Sequence, residues 1–277
     1  MSNGERERSG ASSASEGPSH ASPRRGWVVG TPVDAVTIPE GVRIVRAWVR
    51  ESPARFRQVV TVNPEFVVLA RRDPHFRAVL ERADLSTPDG TGVLIAARSL
   101  GFPVSERVGG NDLAEALIAS RDPELRFFLL GAAPGIADRA AARLRRRYPG
   151  CAIAGTWSGS PRPEDAPGIL ERLRQATPTV LLVAFGTPAQ ELWIDRHRPD
   201  LASSGVRVAI GVGGTFDQWA GVVHRAPLMV QRIGLEWLYR LARQPWRWRR
   251  QLALPVFVLL FLREWLRVAV VPKAKHQ

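Results

Sequence analysis

The feature that most constrains this chain is a repeated alternation of short apolar runs with longer helical ones. "RQVVTVN" reads as a buried strand, and a helical stretch follows from Pro64 to about Arg82. "RFFLLG" (126–131) is a second strand, with the helical "IADRAAARLRRRYP" behind it. The strand "CAIAGTWSG" and the helix "PEDAPGILERLRQA" come next, then the strand "TVLLVAFG" (179–186) and its helix "PAQELWIDRH". "VRVAIGVGG" (206–214) completes the series. Strands interleaved with helices of this length predict βαβ units, and hence an α/β fold with a mostly parallel sheet flanked by helices.

Three of these strands stop on small residues: "LLGAAPG", "VAFGTPAQ" and "IGVGGTFD". In open α/β sheets the ligand binds outside that edge, where helix N-termini offer unpaired N–H groups. Gly131, Gly186, Gly211, Gly213 and Gly214 would let backbone approach such a ligand closely. Tight strand-to-helix turns use the same residues, but three such edges with Gln190, Asp217 and Gln218 nearby favour a nucleotide or phosphate ligand. None is a GxGxxG or GxxxxGK[ST] pattern, so neither a dinucleotide fingerprint nor a P-loop is supported.

The net charge of +13 is unevenly placed. Arg225–Gln277 holds eleven Lys/Arg against two acids, leaving only +4 on the preceding 224 residues. This tail interleaves arginines with tryptophans and leucines in "RIGLEWLYRLARQPWRWRRQ", followed by the apolar "LALPVFVLLFL". A transmembrane helix needs about 20 apolar residues. The run of eleven, broken at Arg263 and Glu264, is too short. It reads either as a core helix or, preferably in this setting, as a segment lying in a membrane interface. A tail that grips single-stranded nucleic acid is the competing explanation, but the near-neutral core and the apolar run argue against a nucleic-acid partner.

The first 25 or so residues are rich in Ser, Gly, Glu and Arg, and lack the apolar stretch of a secretory signal. The expected organisation is therefore a disordered leader over 1–26, an α/β core over 27–224 and a basic appendage over 225–277. The single cysteine, Cys151, excludes an internal disulfide framework and suits a reducing cytoplasm. The five histidines form no HxxH or HExxH pair, so no metal site and no cofactor is expected.

"LSTPDGTGVL" (85–94) poses a sharper question. Asp before Gly is ordinary turn chemistry, so Asp89 either shapes a turn or carries a reaction. Several stretches bear on the choice: "TVNPEFVVLARRDPHFRAVLERADLSTPDGTGVLIAAR", "ERVGGNDL", "FFLLGAAPGIADRAAARL", "VAFGTPAQELWI" and "GVGGTFDQWAGVVHRAPLMVQRIGLEWLYRLARQPWRWRR". From about Val59 to Arg250, in unbroken order, these resemble the WecG/TagA/CpsF family of bacterial glycosyltransferases (family 26). The resemblance implies a Rossmann-like α/β core and an inverting, metal-independent transfer. The sugar, of N-acetylmannosamine type, would pass from a UDP-sugar donor to a polyprenyl-diphosphate-linked acceptor sugar at the inner membrane face. Such reactions build teichoic acid linkage units, common antigen or exopolysaccharide repeats, and some members use a glucuronosyl nucleotide instead. A non-catalytic, membrane-associated nucleotide-binding protein that kept only the fold is the other alternative.

Carried over residue by residue, the resemblance makes Asp89 the general base. Thr61 and Asn63 become the polar pair beside it, with helix capping a competing role for Asn63. Arg107 becomes the cation at the leaving diphosphate, unless it only pairs with Glu106 or Asp112. Gln190 would contact the donor, Gly211–Asp217 would cradle the nucleotide, and Asp217 would bond donor hydroxyls or simply cap a turn. Arg240, Arg247 and Arg250 would engage the lipid diphosphate as the appendage closes over the site. The expected location is cytoplasmic and peripheral on the membrane's inner face, with a homo-oligomer as one way to cover the tail. The carboxylate and donor-site polar groups are all present in this sequence, which argues against the non-catalytic alternative.

Overall fold

The computed structural model describes residues 23–227, 229–230, 236–243, 245 and 248–270. It opens with an antiparallel hairpin, β1 (Arg25–Val28) and β2 (Thr31–Asp34). Strand β1 thus takes in Arg25 and Gly26, the last two residues of the expected leader, of which residues 1–22 lie outside the described residues. The reason is local: Arg25 forms a two-pronged ion pair with Asp34, both contacts at 2.8 Å. The same carboxylate accepts the Ser86 N–H at 2.7 Å, which fastens the hairpin to the sheet.

The sheet has six parallel strands: β3 (Arg57–Val62), β4 (Leu85–Pro88), β5 (Phe127–Gly131), β6 (Ile153–Trp157), β7 (Val180–Ala184) and β8 (Val208–Gly211). Their order is β4-β3-β8-β7-β5-β6. Alternate residues of each strand feed opposite faces. Val59, Leu129, Leu182 and Ile210 join the cluster beneath α1 (Ile38–Arg50), α5 (Gly110–Ala119) and α6 (Ile136–Arg147). Their neighbours Val60 and Val62 pack under α2 (Pro64–Arg72), α3 (Pro74–Arg82) and α4 (Thr91–Ser99). Leu181 and Val183 pack under α7 (Ala166–Ala176), α8 (Ala189–Arg196) and α9 (Arg198–Ser203). The predicted α/β architecture is the observed one.

The helical stretch expected from Pro64 to Arg82 is two helices. Asp73 precedes a proline, which disfavours helical backbone at that residue; it adopts φ −121° and ψ 102°. It thereby ends α2, and its carboxylate accepts the His75 and Phe76 N–H groups to begin α3. Strand β4 carries almost no apolar signal in "LSTP". It is buried because β3 and the hairpin enclose it.

Short α10 (Thr215–Trp219) follows β8, and the tail holds α11 (Glu236–Arg243), α12 (Trp248–Gln251) and α13 (Ala253–Val270). Arg263 and Glu264 end the apolar run but not the helix, because α13 continues through them. Pro255 lies in the first turn of α13, where no intrahelical N–H is required. Glu264 accepts the Val29 N–H at 2.6 Å, which satisfies a donor in the tight β1–β2 turn. One face of α13, with Phe257 only 3% exposed, packs on the α2 cluster together with Val256, Leu260 and Phe261. The opposite face leaves Leu259 69%, Leu266 53% and Val268 60% exposed. The segment thus packs on the core through one face and exposes an apolar one. No described helix is long and apolar enough to cross a membrane.

Candidate active site

A cavity of about 560 Å³ opens at the C-terminal ends of β3, β4, β7 and β8. Asp89 stands on its wall directly after β4, and its own N–H donates to the Val62 carbonyl at 2.7 Å. The loop carrying Arg107 is stitched to the same strand. The Val108 N–H donates to the Pro88 carbonyl at 2.7 Å, and the Thr87 hydroxyl donates to the Val108 carbonyl at 2.7 Å. Two segments 18 residues apart are thus held face to face, with Arg107 Nη1 3.3 Å from Asp89 Oδ1.

The other end of that guanidinium donates to Asp112 Oδ2 at 2.8 Å, and Arg225 Nη2 lies 2.5 Å from Asp112 Oδ1. Asp89, Arg107, Asp112 and Arg225 therefore form one line of alternating charge along the wall. The Arg107–Asp112 pair does form, and it coexists with the contact to Asp89. Glu106 turns away to accept the Ile38 N–H at 2.6 Å.

Two adjacent glycines make this closeness feasible. A Cβ on Gly109 would lie 2.8 Å from Asp89 Oδ1 and 3.1 Å from Arg107 Nη1. A Cβ on Gly110 would press on the Gly211 carbonyl at 3.1 Å and on Thr61. They open α5, whose first turn has no side-chain cap and lines the cavity. Uncapped N–H groups and the helix dipole favour negative charge there.

Gln190, at the start of α8, lines the floor, and Glu191 is packed behind it. Gln190 Oε1 accepts two backbone N–H groups, Gly186 and Gly213, each at 3.1 Å. Its Nε2 donates to Glu191 Oε1 at 2.7 Å. Gly211 lies close above: a Cβ there would sit 2.6 Å from both Gln190 Nε2 and Glu191 Oε1. Glu191 is fully enclosed, and burial pushes its carboxyl up to about 8.

Most of the residues singled out from the sequence converge here: Thr61, Asn63, Asp89, Arg107, Gly186, Gln190, Gly211, Gly213, Gly214 and Arg250 all line the cavity. Asn63 also caps α2, with Oδ1 accepting the Glu65 and Phe66 N–H groups at 2.9 and 3.2 Å. Gly131 and Asp217 are not among the lining residues. At Gly131 a Cβ would meet the Ala184 backbone at 2.9 Å, so this glycine serves the β5–β7 approach. Asp217 lies on α10, one residue short of Gln218, which does line the cavity and accepts from Asn111 Nδ2 at 3.0 Å. Arg247 and the Arg240 side chain lie outside the described residues.

The sequence reading missed Asp112 as part of the charge line, and also Arg225, Glu65 and Glu191. Glu65 receives Arg250 in a two-pronged pair, with Nε–Oε1 at 2.9 Å and Nη2–Oε2 at 2.6 Å, tying α12 to the start of α2. An acid at the start of a helix is a common capping signal, so Glu65 gave no hint of this contact. Among the described residues no three His, Cys, Asp or Glu side chains converge as a metal-ligand group.

Comparison with known proteins gives the chain a family. Residues 27–270 match the profile described as Glycosyl transferase WecG/TagA/CpsF family. The chain is 37% identical over 206 residues to an N-acetylglucosaminyldiphosphoundecaprenol N-acetyl-beta-D-mannosaminyltransferase of Bacillus spizizenii, a match covering 74% of this chain and 78% of that protein. It is 34% identical over 207 residues to the enzyme of the same name from Bacillus subtilis strain 168, covering 74% and 79% respectively.

Proposed function

The chain belongs to the WecG/TagA/CpsF glycosyltransferase family, and from that premise we propose that it moves an N-acetylmannosamine-type sugar from a UDP donor to a sugar on a polyprenyl diphosphate. The observation that carries the reading is the pairing of Asp89 with Arg107 on the wall of the strand-edge cavity. An inverting transfer needs one base at the attacking hydroxyl and positive charge at the leaving diphosphate. Asp89 takes the proton as the acceptor oxygen bonds to the anomeric carbon. The bond from that carbon to the diphosphate breaks, and UDP leaves with the electron pair. Arg107, Arg225 and the uncapped turn of α5 face the developing charge, so the transfer proceeds without a metal ion. The Gly186 and Gly211–Gly214 loops receive the nucleotide.

The names of the two Bacillus relatives favour a GlcNAc-diphosphoundecaprenol acceptor. Arg250, at the cavity mouth, reads the lipid diphosphate. The exposed apolar face of α13 supports a peripheral enzyme that rests on the inner face of the membrane. The test is a donor screen with the lipid-diphosphate-GlcNAc acceptor, a membrane mimetic and EDTA. UDP-ManNAc is consumed by the wild type, whereas Asp89→Asn lowers kcat by about 10²–10⁴ and still binds UDP. Undiminished turnover in Asp89→Asn refutes the base assignment. Consumption of UDP-glucuronic acid alone changes the donor and leaves the reaction class standing.

A further inference from the structure

Glu191 is a carboxyl that the reaction scheme leaves unused, yet it is 1% exposed and lies directly beneath Gly211. Oε1 accepts from Gln190, while Oε2 meets no hydrogen-bonding partner among the described residues. The Glu191 backbone carbonyl accepts the Gln58 amide at 3.1 Å, which anchors this turn of α8 to β3. The position is therefore rigid, and the orientation of the neighbouring amide is decided there.

We propose that Glu191 is a positioning residue for the donor: its carboxyl orients the Gln190 amide that clamps Gly186 to Gly213, and so holds the two loops of the cavity floor in register. The logic is one of donors and acceptors. The Gly186 and Gly213 N–H groups can donate only to an oxygen, so the Gln190 amide must present Oε1 to both. That orientation points its NH₂ at Glu191, which has to supply an acceptor. An amide turned the other way would set an NH₂ against two N–H donors and leave three polar groups without a protein partner. Gly211 is required because any side chain there would occupy the space of this pair.

The neutral acid suits the task. Protonated at Oε2, it accepts through Oε1 and places no charge in the enclosed site. The charged groups bearing on it are Glu65 from α2, which disfavours ionisation, and Arg250 from α12, which favours it. They oppose one another, and desolvation dominates. Once ionised, the carboxylate demands water that the packed floor does not admit, and the clamp must open to supply it.

The inference rests on the reading of the cavity as a donor site only for its effect on UDP, so its primary test needs no ligand. Hydrogen exchange at the Gly186 and Gly213 amides of the full-length protein, corrected for intrinsic rate, is followed from pH 6.5 to 9. Wild type is expected to lose about tenfold of its protection by pH 9, one unit above the midpoint near 8. Glu191→Gln, which keeps a neutral acceptor, retains protection across the range. UDP affinity in the wild type weakens by the same factor relative to Glu191→Gln. Glu191→Leu, which removes the acceptor for the Gln190 amide, is expected to lose protection at both glycines already at pH 6.5, and undiminished protection there in that variant would overturn the proposal. Should Glu191→Gln not fold, the wild-type profile at these two amides against other buried amides still decides. If UDP binds neither protein, the donor reading fails while hydrogen exchange continues to judge the clamp.

Discussion

Replacing Glu191 by Gln should change how the protein's stability depends on pH, and the size of the change follows from burial. The carboxyl titrates near 4.5 when unfolded and near 8 in the folded protein. Below pH 4.5 both states hold the proton, and the group leaves stability unchanged. Between 4.5 and 8 the unfolded chain releases a proton that the folded chain keeps, so each pH unit lowers folded-state stability by about 1.4 kcal/mol. Above 8 both states are ionised and the loss levels off. The accumulated loss is on the order of 5 kcal/mol, of which about 3 kcal/mol is already present at neutral pH. Gln occupies the same volume, offers a carbonyl to Gln190 and has no proton to lose. Denaturant unfolding of both proteins at pH 5, 6, 7 and 8 isolates this term, because every other titrating group is shared. The Gln variant should gain steadily on the wild type as pH rises. Parallel stability curves across that range would mean that the site is hydrated, or that Glu191 is ionised in the folded state, and the burial reasoning would fail.

Gly109→Ala is a purely steric probe, since φ −78° at this residue suits alanine while the added carbon meets Asp89 and Arg107. Turnover should fall by about tenfold or more with little change in melting temperature, measured by steady-state kinetics beside a thermal shift. Phe257→Ala removes the buried anchor of α13 on α2 and should cost about 3–5 kcal/mol where the helix is attached, read as earlier proteolysis within 253–270. Arg250→Gln breaks a partly exposed ion pair with Glu65 worth less than about 1 kcal/mol. Stability should hold while KM for the lipid-diphosphate acceptor rises severalfold, and an unchanged KM would remove Arg250 from that role.

The alternation of apolar and helical runs, and the glycines that end them, were enough to specify a parallel α/β sheet with its ligand edge. These are local patterns: a strand buried on both faces is apolar throughout, and a glycine turn is written in the residues that form it. Asp89 was visible as a turn aspartate, and the motif around it pointed to its use. That it faces Arg107 was beyond local reading, because the contact depends on the 107–110 loop being stitched to β4. Likewise β4 has the composition of a loop and becomes a strand only because β3 and the hairpin enclose it. The apolar tail segment could be read as buried or as surface-bound, and it is a helix with one buried and one exposed apolar face; hydropathy averages over faces that only packing separates. Glu191 is the sharpest case. Between Gln190 and Leu192 it is an ordinary helix-starting acid by sequence, and it becomes a neutral, buried acceptor only when β8 brings Gly211 down upon it. Patterns between near neighbours along the chain decided the elements and their order. Burial, charge state and the pairing of groups distant in sequence were decided by tertiary structure, because desolvation and Coulomb energies depend on surroundings that neighbouring residues do not encode.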